Sequence, residues 1–359
     1  MLVHLIGGFL GGGKTTAIQQ ACRKLKAVGK HVGVITNDQG NQLVDTAFFK
    51  DEGISTEEVV GSCFCCNYDA LEKHLASLEK QLQPEVIFAE SVGSCADLIA
   101  TIMRPLKRFH PQNQVVLSVF ADAQVLPAQV SGSSLFANTV NYIYKKQLEE
   151  ADILVLSKCD LLSDYQWKSL NRVIADYFSH KTVLFQNSYN EQDIQHWLAT
   201  ASSFLDGERK TLELDYQQYG AGEAELAWLN QRLNIQNKQH TALQAAQLLM
   251  ENFYRSVQQA GLPIGHLKFG CNSKGVQEKI SFTSSSTGEE NVMLPNLPVD
   301  EVDLLINARV QTTPENLLVL LEEAVEQAKR QTNSSIKKLS SEAFVPGFPK
   351  PTYRILDEK

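Results

Sequence analysis

The sequence predicts an α/β fold, in which a mostly parallel sheet is covered by helices on both faces and is followed by a smaller α+β domain. Up to about residue 200, short runs rich in valine, isoleucine and leucine alternate with amphipathic segments of helical length. Such continuous apolar runs are typical of parallel strands buried on both faces. Beyond about residue 223, longer strand-like segments surround two helical ones. The predicted strands of the first part are Leu2–Ile6, His31–Thr36, Glu85–Ala89, Gln114–Phe120, Ile153–Ser157 and Thr182–Phe185.

The chain length and a change of composition predict two domains. A chain of 359 residues is longer than one ordinary hydrophobic core requires. A polar stretch with several glycines predicts a linker over 206–223, between domains at 1–205 and 224–333, and the serine- and proline-rich residues 334–359 predict a flexible tail. The elements predicted for the second domain are a strand at Leu226–Ile235, a helix at His240–Ala260, a hairpin of Gly265–Asn272 with Gln277–Thr283, a strand at Val302–Val310 and a helix from Pro314 to about Lys329.

Composition and charge exclude several classes of function. Hydrophobic residues make up 43% of the chain and charged residues 21%, the balance of a folded globular protein. A net charge of −8 argues against a nucleic acid partner, which requires a clustered basic face. No apolar run has the length of a membrane span, and the first residues lack the pattern of an export signal. We therefore expect a cytoplasmic protein without a membrane partner.

A glycine-rich loop directly after the first predicted strand indicates a nucleoside triphosphate site. The segment from Gly8 to Thr15 has the pattern of a glycine, four residues, and then Gly-Lys-Thr, and a helical segment follows it. Backbone N–H groups of such a loop surround the phosphates, and the helix N-terminus adds positive charge. The fold class is therefore a P-loop NTPase. The loop residues predicted to bind the nucleotide are Gly8, Gly11, Gly12, Gly13, Lys14, Thr15 and Thr16.

Each polar side chain of this loop has an expected role. Lys14 would reach the β- and γ-phosphates, and Thr15 would place its hydroxyl on Mg²⁺. Thr16 would contact the α-phosphate. The alternative is a glycine-rich turn that binds nothing, but such a turn has no packing reason to contain Lys14.

A second motif predicts that the base is guanine. Ser157-Lys158-Cys159-Asp160 follows the fifth predicted strand. The Asp160 carboxylate can accept hydrogen bonds from N1–H and the exocyclic amine of guanine, which adenine does not offer, while the Lys158 stem would cover the base. An ordinary loop is the alternative for so short a motif.

Carboxylates at other strand ends are candidates for the hydrolysis machinery. Glu90 follows the predicted strand Glu85–Ala89, where it can orient Mg²⁺ or the attacking water. Asp38 follows the second strand and could bind Mg²⁺ as part of a switch. Asp122 is a weaker candidate, since it can equally cap the next helix.

Three cysteines within four positions predict a metal site. Cys63, Cys65 and Cys66 are three of seven cysteines in the chain. Thiolates bind Zn²⁺ and related ions, and three ligands leave a fourth position open, which suits transfer of the ion. His74, Glu72 or a residue of the second domain could complete the set. A disulfide between Cys63 and Cys66, or a structural zinc completed by a distant histidine, is the alternative.

Together, these motifs resemble the CobW-like metal-handling GTPases, which are relatives of nickel-insertion GTPases. The resemblance covers roughly residues 1–200 and is carried by Gly8–Thr15, Asn37-Asp38, the cysteine triplet, Glu90-Ser91-Val92-Gly93 and Ser157-Lys158-Cys159-Asp160. It implies slow GTP hydrolysis, binding of Zn²⁺ or Co²⁺ at the triplet, and delivery of metal or cofactor to a client protein. The sequence departs from the family pattern at Ser157, where Asn is usual, at Gln39-Gly40-Asn41, and in lacking a histidine-rich run.

Two functions are consistent with these residues. The first is a GTP-driven metallochaperone or cofactor-maturation factor, which could act as a homodimer, in which the segment between Asp38 and Glu90 links the nucleotide to the metal. The second is a P-loop ATPase or kinase whose cysteines are structural or redox-active. Competition between ATP and GTP for binding would separate the two.

Overall fold

The computed structural model describes residues 1–40, 44–204, 207, 209–286 and 293–357, which form two compact units. The first unit contains residues 1–39, 45–222 and 348–359, and the second contains residues 40–44 and 223–347. Within the described ranges, no helix combines the length and the apolar character needed to span a membrane.

The first unit is built on a seven-stranded sheet with the order β3-β2-β4-β1-β5-β6-β7, in which all neighbouring strands are parallel. The predicted α/β fold class is confirmed, and so are the six predicted strands. The additional strand, β3, was missed because its sequence Ser-Thr-Glu-Glu-Val is polar and lies at the sheet edge. The strands are β1 (Leu2–Gly8), β2 (Val32–Asn37), β3 (Ser55–Val59), β4 (Val86–Glu90), β5 (Gln114–Asp122), β6 (Ile153–Ser157) and β7 (Thr182–Gln186).

Helices cover both faces of this sheet. Consecutive strand residues point to opposite faces, and in β1 both Val3 and Ile6 are fully buried. Trp197, on a helix, packs against Phe88 and Phe120 from two of the strands. The helices of this unit are α1 (Lys14–Ala27), α2 (Val44–Asp51), α3 (Tyr68–Leu82), α4 (Arg104–Phe109), α5 (Leu126–Ser131), α6 (Asn138–Glu149), α7 (Asp164–Tyr177), α8 (Glu191–Ser203) and α9 (Tyr216–Ala224), with a π-helix at Ile99–Met103 and a 3₁₀ turn at Cys159–Leu161.

The strand register brings the predicted motifs to one edge of the sheet. Ile6 of β1 is the register partner of Glu90 in β4, and Asp122 of β5 is the partner of Ser157 in β6. Because the strands are parallel, the loops after β1, β4 and β6 all leave from their carboxyl ends. This edge is where α/β sheets bind their ligands.

The second unit is a five-stranded antiparallel sheet with the order β10-β9-β11-β8-β12 and two long helices. Its hydrophobic core includes the fully buried Leu249 and Leu321, one from each helix. The elements predicted up to residue 332 are present, which confirms the α+β class. They are β8 (Leu226–Gln236), α10 (Ala242–Gln259), β9 (Ile264–Ser273), β10 (Val276–Phe282), β11 (Glu301–Gln311), α11 (Pro314–Thr332) and β12 (Ser335–Phe344).

The prediction of a flexible tail over 334–359 is wrong. Residues 335–344 form β12, which pairs antiparallel with β8, and the side chain of Ile336 in this strand is buried. The strand is hard to recognise because half of its residues are exposed serines and lysines on the sheet edge. The following segment, 348–357, packs on the first unit, where the Ile355 N–H donates to Ala100 O at 2.9 Å.

The predicted linker also differs from the structure. Residues 216–224 form α9, and the division between the two units falls at residues 222 and 223. Gly222 lies on this helix because the helix backbone approaches Thr139, where a Cβ atom would meet the Thr139 carbonyl oxygen at 2.4 Å. Residues 206 and 208 of the predicted linker lie outside the described residues.

Candidate functional site

The glycine-rich loop joins β1 to α1 through backbone conformations that favour glycine. Gly8, Gly11 and Gly13 have φ angles of 118°, 74° and 85°. Gly12 is also tightly packed, since a Cβ atom there would lie 3.0 Å from Phe120 O. Helix α1 begins directly at Lys14, and the N-cap residue Gly13 has no side chain to occupy the helix N-terminus. The first N–H groups of such a helix suit an anionic phosphate.

Lys14 is folded back over this loop. Its Nζ donates hydrogen bonds to Gly8 O at 2.7 Å and to Phe9 O at 3.1 Å, and the side chain is buried. The ammonium group is therefore held at the loop and not extended into solvent. Its predicted contact with the phosphates stays a prediction.

Thr15 and Glu90 are brought together by the fold. The Thr15 hydroxyl donates to Glu90 Oε1 at 3.0 Å, and both side chains are buried. One comes from the first turn of α1 and the other from the end of β4. A hydroxyl and a carboxylate are oxygen donors of the kind that Mg²⁺ prefers. The pair therefore fits a magnesium ion, with Thr16 next to it on α1.

Ser157, where the family has asparagine, still connects the guanine motif to the phosphate loop. Its hydroxyl donates to Gly12 O at 2.7 Å. Lys158 has a φ angle of 60°, and its Nζ donates to Asp122 Oδ2 at 2.6 Å. Asp122 is therefore an orienting partner of Lys158, which the sequence alone did not indicate. Asp160 is exposed on the 3₁₀ turn, where its carboxylate is accessible to a base.

Asn37 holds the cysteine loop against the end of β2. Its Nδ2 donates to Val59 O at 3.0 Å and to Ser62 O at 2.7 Å, and its Oδ1 accepts from the Phe64 N–H at 2.7 Å. The next residue, Asp38, donates its backbone N–H to Val59 O at 3.1 Å. One side chain thus connects the Asp38 segment to the loop that contains the cysteines.

The cysteine triplet forms a compact group of thiols in a tight turn. Cys63 O accepts from the N–H groups of Cys66 at 3.1 Å and Asn67 at 3.0 Å. The sulfurs of Cys63, Cys65 and Cys66 all lie within 4.8 Å of one another. None of the seven cysteines, all of which the structure describes, is in a disulfide, so the alternative of a Cys63–Cys66 disulfide is not the arrangement found.

The three thiols of this cluster differ in pKa. Hydrogen bonds from neighbouring thiols lower the pKa of Cys63 well below its ordinary value. The same interaction raises the pKa of Cys65, and it raises that of Cys66 to about 11. Cys63 therefore gives up its proton more readily than Cys65 or Cys66, and an ion that binds all three sulfurs replaces the protons of the thiols.

The sulfur spacing fits a tetrahedral thiolate site. At a Zn–S bond of about 2.3 Å, the edge of a sulfur tetrahedron is about 3.8 Å. The Cys65 and Cys66 sulfurs are 3.8 Å apart, whereas those of Cys63 and Cys65 are 2.8 Å apart and would separate by about 1 Å around an ion. The donor set therefore suits Zn²⁺ or Co²⁺.

The two side chains expected as a fourth ligand have other partners. Glu72 Oε1 bonds His110 Nε2 at 2.7 Å, and His74 Nδ1 lies 3.2 Å from Glu57 Oε2. Both residues are on α3, one turn or more beyond the triplet. The prediction that one of them completes the site is therefore not supported by the geometry.

The C-terminal segment, residues 348–357, covers the cysteine turn. The Lys350 N–H donates to Cys66 Sγ at 3.2 Å, and the Thr352 N–H donates to Cys65 O at 2.7 Å. Tyr353 packs edge-to-face on Tyr68, with ring centroids 5.2 Å apart. The sequence gives no local signal for this contact, because about 285 positions separate the two segments.

An ion pair with a buried carboxylate fixes this segment. Asp97 is fully buried with a φ angle of 68°, and its Oδ2 accepts from Arg354 Nε at 2.7 Å and from the Tyr216 hydroxyl at 2.8 Å. Burial raises the pKa of Asp97, while Arg354 and Tyr216 oppose this by stabilising the carboxylate.

One residue of the Gln39-Gly40-Asn41 sequence, which differs from the family pattern, is not covered by the structure: Asn41 lies outside the described residues.

A parallel sheet with a phosphate loop, a threonine–glutamate pair and a neighbouring thiol cluster defines a nucleotide-binding protein of the P-loop class with a candidate metal site. Residues 2–185 match the nucleotide-binding domain of the CobW/HypB/UreG family. The chain belongs to this family.

Several known proteins are similar to this chain. The zinc chaperone CobW of a Sinorhizobium species is 28% identical over 52% of this chain and 59% of its own length. The zinc chaperone YeiR of Escherichia coli K12 is 28% identical over 47% of this chain and 50% of its own length. The chain thus spans about half to three fifths of these relatives. HypB from Helicobacter pylori, solved in complex with nickel, is 14% identical with a TM-score of 0.41 over 58% of this chain and 91% of that structure.

Proposed function

We propose that the protein is a GTP-binding and hydrolysing metallochaperone or metal-cofactor maturation factor, in which nucleotide state controls metal binding at the cysteine cluster. The observation that carries this proposal is the position of Asn37. It precedes Asp38 at the end of β2, and it holds the end of β3 at Val59 and two backbone groups, of Ser62 and Phe64, in the loop that includes the cysteines. Movement at the nucleotide side of this segment is therefore transmitted to the sulfurs.

The nucleotide half of the proposal uses the residues at the carboxyl edge of the sheet. The phosphate loop supplies backbone N–H groups from Gly8, Gly11, Gly12 and Gly13. When the nucleotide binds, the Lys14 ammonium group leaves the carbonyl oxygens of Gly8 and Phe9 and binds phosphate oxygens instead. Thr15 and Glu90 would hold Mg²⁺, which would supply charge stabilisation at the phosphates.

Hydrolysis in this class depends on positioning more than on covalent chemistry. Glu90 is held at 3.0 Å by Thr15, so its carboxylate is fixed at the end of β4 where it can orient a water molecule. Asp38 is the second acidic residue of the site, and its place next to Asn37 makes it the switch residue. We expect slow turnover.

Guanine selection rests on Lys158 and Asp160. Asp122 orients the Lys158 ammonium through the 2.6 Å hydrogen bond, which leaves the aliphatic stem to cover the base. Asp160 accepts from the guanine edge. Ser157 replaces the usual asparagine, but its hydrogen bond to Gly12 preserves the link between the base site and the phosphate loop.

The metal half of the proposal treats Zn²⁺ or Co²⁺ as cargo. Cys63, Cys65 and Cys66 have a donor set and spacing that fit either ion. Two relatives of this chain are named zinc chaperones, which favours Zn²⁺. The client is a metalloprotein or a cofactor enzyme.

A comparison of cysteine variants tests the coupling. Cys65→Ser/Cys66→Ser is compared with Cys271→Ser, which removes a thiol buried in the core of the second unit. Phosphate release from GTP is followed with and without one equivalent of Zn²⁺. We expect zinc to change the rate of the wild type and of Cys271→Ser but not that of the double variant. An identical zinc response in all three proteins contradicts the proposal.

The alternative is a P-loop ATPase or kinase with structural or redox-active cysteines, and the absence of the usual asparagine at Ser157 is the observation in its favour. Competition of ATP and GTP for binding separates the two functions. Our proposal requires a preference for GTP that Asp160→Ala removes. A preference for ATP that survives Asp160→Ala supports the alternative.

A further inference from the structure

A fourth thiol lies against the cysteine triplet. The Cys95 side chain is 1% exposed, and its thiol is in hydrogen-bonding contact with those of both Cys63 and Cys65. In the sequence, Cys95 is 29 positions beyond Cys66 and lies in a different loop, the one between β4 and the π-helix. The fold therefore places a fourth sulfur against Cys63 and Cys65, although Cys95 lies outside the set of sulfurs that are all within 4.8 Å of one another, so an ion bound by all four would have to draw it closer.

The backbone around Cys95 is held firmly in place. Gln147 Nε2 donates to Gly93 O at 3.0 Å and to Cys95 O at 2.8 Å, and Gln147 itself is buried. The Cys95 N–H donates to Val92 O at 3.0 Å, and the Ala96 N–H donates to the Tyr219 hydroxyl at 3.3 Å. Contacts on both sides of the residue thus hold its backbone next to the triplet.

We propose that Cys95 is the fourth sulfur ligand of the metal site, so that a bound ion is enclosed by Cys63, Cys65, Cys66 and Cys95. This inference rests on the proposed function, because it extends the same metal site. It replaces the sequence expectation that a histidine, a carboxylate or the second domain supplies the fourth ligand. On binding, each thiol that becomes a ligand releases its proton to solvent.

A four-sulfur site has a different chemistry from a three-sulfur one. Four thiolates close the tetrahedron, which is the arrangement that retains zinc, whereas an open position permits exchange. The site would hold its ion firmly until one sulfur withdraws. Release then requires a movement of one of the two loops that supply the sulfurs.

Cys95 is the ligand most directly connected to the nucleotide elements. It is five positions after Glu90, on the same loop. Gly93 of this loop is pressed against the phosphate loop, since a Cβ atom there would lie 2.6 Å from Leu10 Cδ2 and 3.1 Å from Leu10 Cα. A change at the phosphate loop or at Glu90 therefore shifts the Cys95 backbone and changes the number of sulfurs on the ion.

The test counts the sulfur ligands of the full chain loaded with Zn²⁺ or Co²⁺ alone. The variants are Cys95→Ser and Cys95→Ala, with Cys271→Ser as the matched buried control. X-ray absorption gives the number of metal–sulfur bonds, and competition with a chelator gives the affinity. We expect four sulfurs in the wild type and in Cys271→Ser, and three in both Cys95 variants, with affinity lower by at least about 10–100-fold.

The outcomes distinguish this inference from the proposed function. A wild type that binds metal through three sulfurs, with unchanged spectra and affinity in the Cys95 variants, overturns the assignment of Cys95 and leaves the proposed function intact. A wild type that binds no metal overturns both. Circular dichroism of the metal-free variants separates loss of the ligand from misfolding, and a Cys95→Ala variant that folds and retains four sulfurs also refutes the inference.

Discussion

Gly8 provides a test of how tightly the phosphate loop is built. It is the register partner of Phe120 in the neighbouring strand β5 and has a φ angle of 118°. A Cβ atom at this position would lie 2.2 Å from Phe120 O and 2.7 Å from Phe120 N. Both contacts are to backbone atoms of a central strand, so a rotamer change cannot relieve them. Gly8→Ala must therefore displace the loop or the strand.

The expected cost has two parts. A positive φ at a residue with a Cβ atom costs about 1–2 kcal/mol, and overpacking of a tight interior costs about 1–3 kcal/mol more. Gly132→Ala isolates the first part, because Gly132 has a φ angle of 96° and no heavy atom among the described residues lies within 4 Å of the Cβ position. We expect Gly8→Ala to lower the free energy of unfolding by about 2–5 kcal/mol and Gly132→Ala by about 1–2 kcal/mol.

Urea unfolding of the nucleotide-free proteins at pH 7 measures these differences. Titration with a fluorescent GTP analogue then shows whether the displaced loop loses nucleotide affinity, as we expect for Gly8→Ala alone. Equal destabilisation by the two substitutions would refute the reasoning, since it would mean that the contact with Phe120 carries no cost. Unchanged GTP affinity in Gly8→Ala would show that the loop adapts without loss of its function.

Two further predictions concern buried side chains that can carry a charge, His4 and Asp97. His4 is fully buried, and burial lowers its pKa from 6.5 to about 3, so the unfolded chain takes up a proton that the folded chain does not. The contribution of neutral His4 to the free energy of unfolding is present above pH 6.5 and is lost as the pH falls toward 3, by up to about 1.4 kcal/mol per pH unit. His4→Gln should therefore make the urea midpoint depend less on pH between pH 7 and 5. An unchanged pH dependence in the variant would contradict this cause. Arg354→Ala leaves the buried Asp97 carboxylate without its cation, which should cost about 1–3 kcal/mol because Arg354 is partly exposed. The control Arg232→Ala breaks an exposed ion pair with Asp303 and should lower the free energy of unfolding by less than about 1 kcal/mol. Hydrogen exchange at the Thr352 amide should accelerate only in the Arg354 variant.

The sequence predicted those parts of the molecule that depend on short stretches of chain. The phosphate loop lies between a strand and a helix as expected, because glycine conformations and a helix start are local properties. Continuous apolar runs identified the buried strands and their limits, so the sequence also predicted that Glu90 and Ser157 lie at strand ends. The roles assigned to Lys14, Thr15, Glu90, Asp38, Lys158 and Asp160 stay predictions, although the fold brings Thr15 and Glu90 together.

The features that the sequence did not predict depend on contacts between distant segments. In the sequence, Cys95 is one of four scattered cysteines, and only the fold places its loop beside the triplet. Strand β12 was predicted as a tail because an edge strand with one exposed face needs few apolar residues. Asn37 was part of a recognised motif, but only the structure shows that its amide holds the cysteine loop.

The path of the chain has a consequence for work on isolated fragments. The polypeptide leaves the first unit at residue 222, builds most of the second, and returns at residue 348 to lie over Cys65 and Cys66. A fragment cut at residue 222 would therefore keep every nucleotide motif but expose sulfurs that the intact chain shields. Metal affinities or oxidation rates measured on such a fragment would describe an unprotected cluster, and they would differ from those of the full chain even if its GTP chemistry were unaltered.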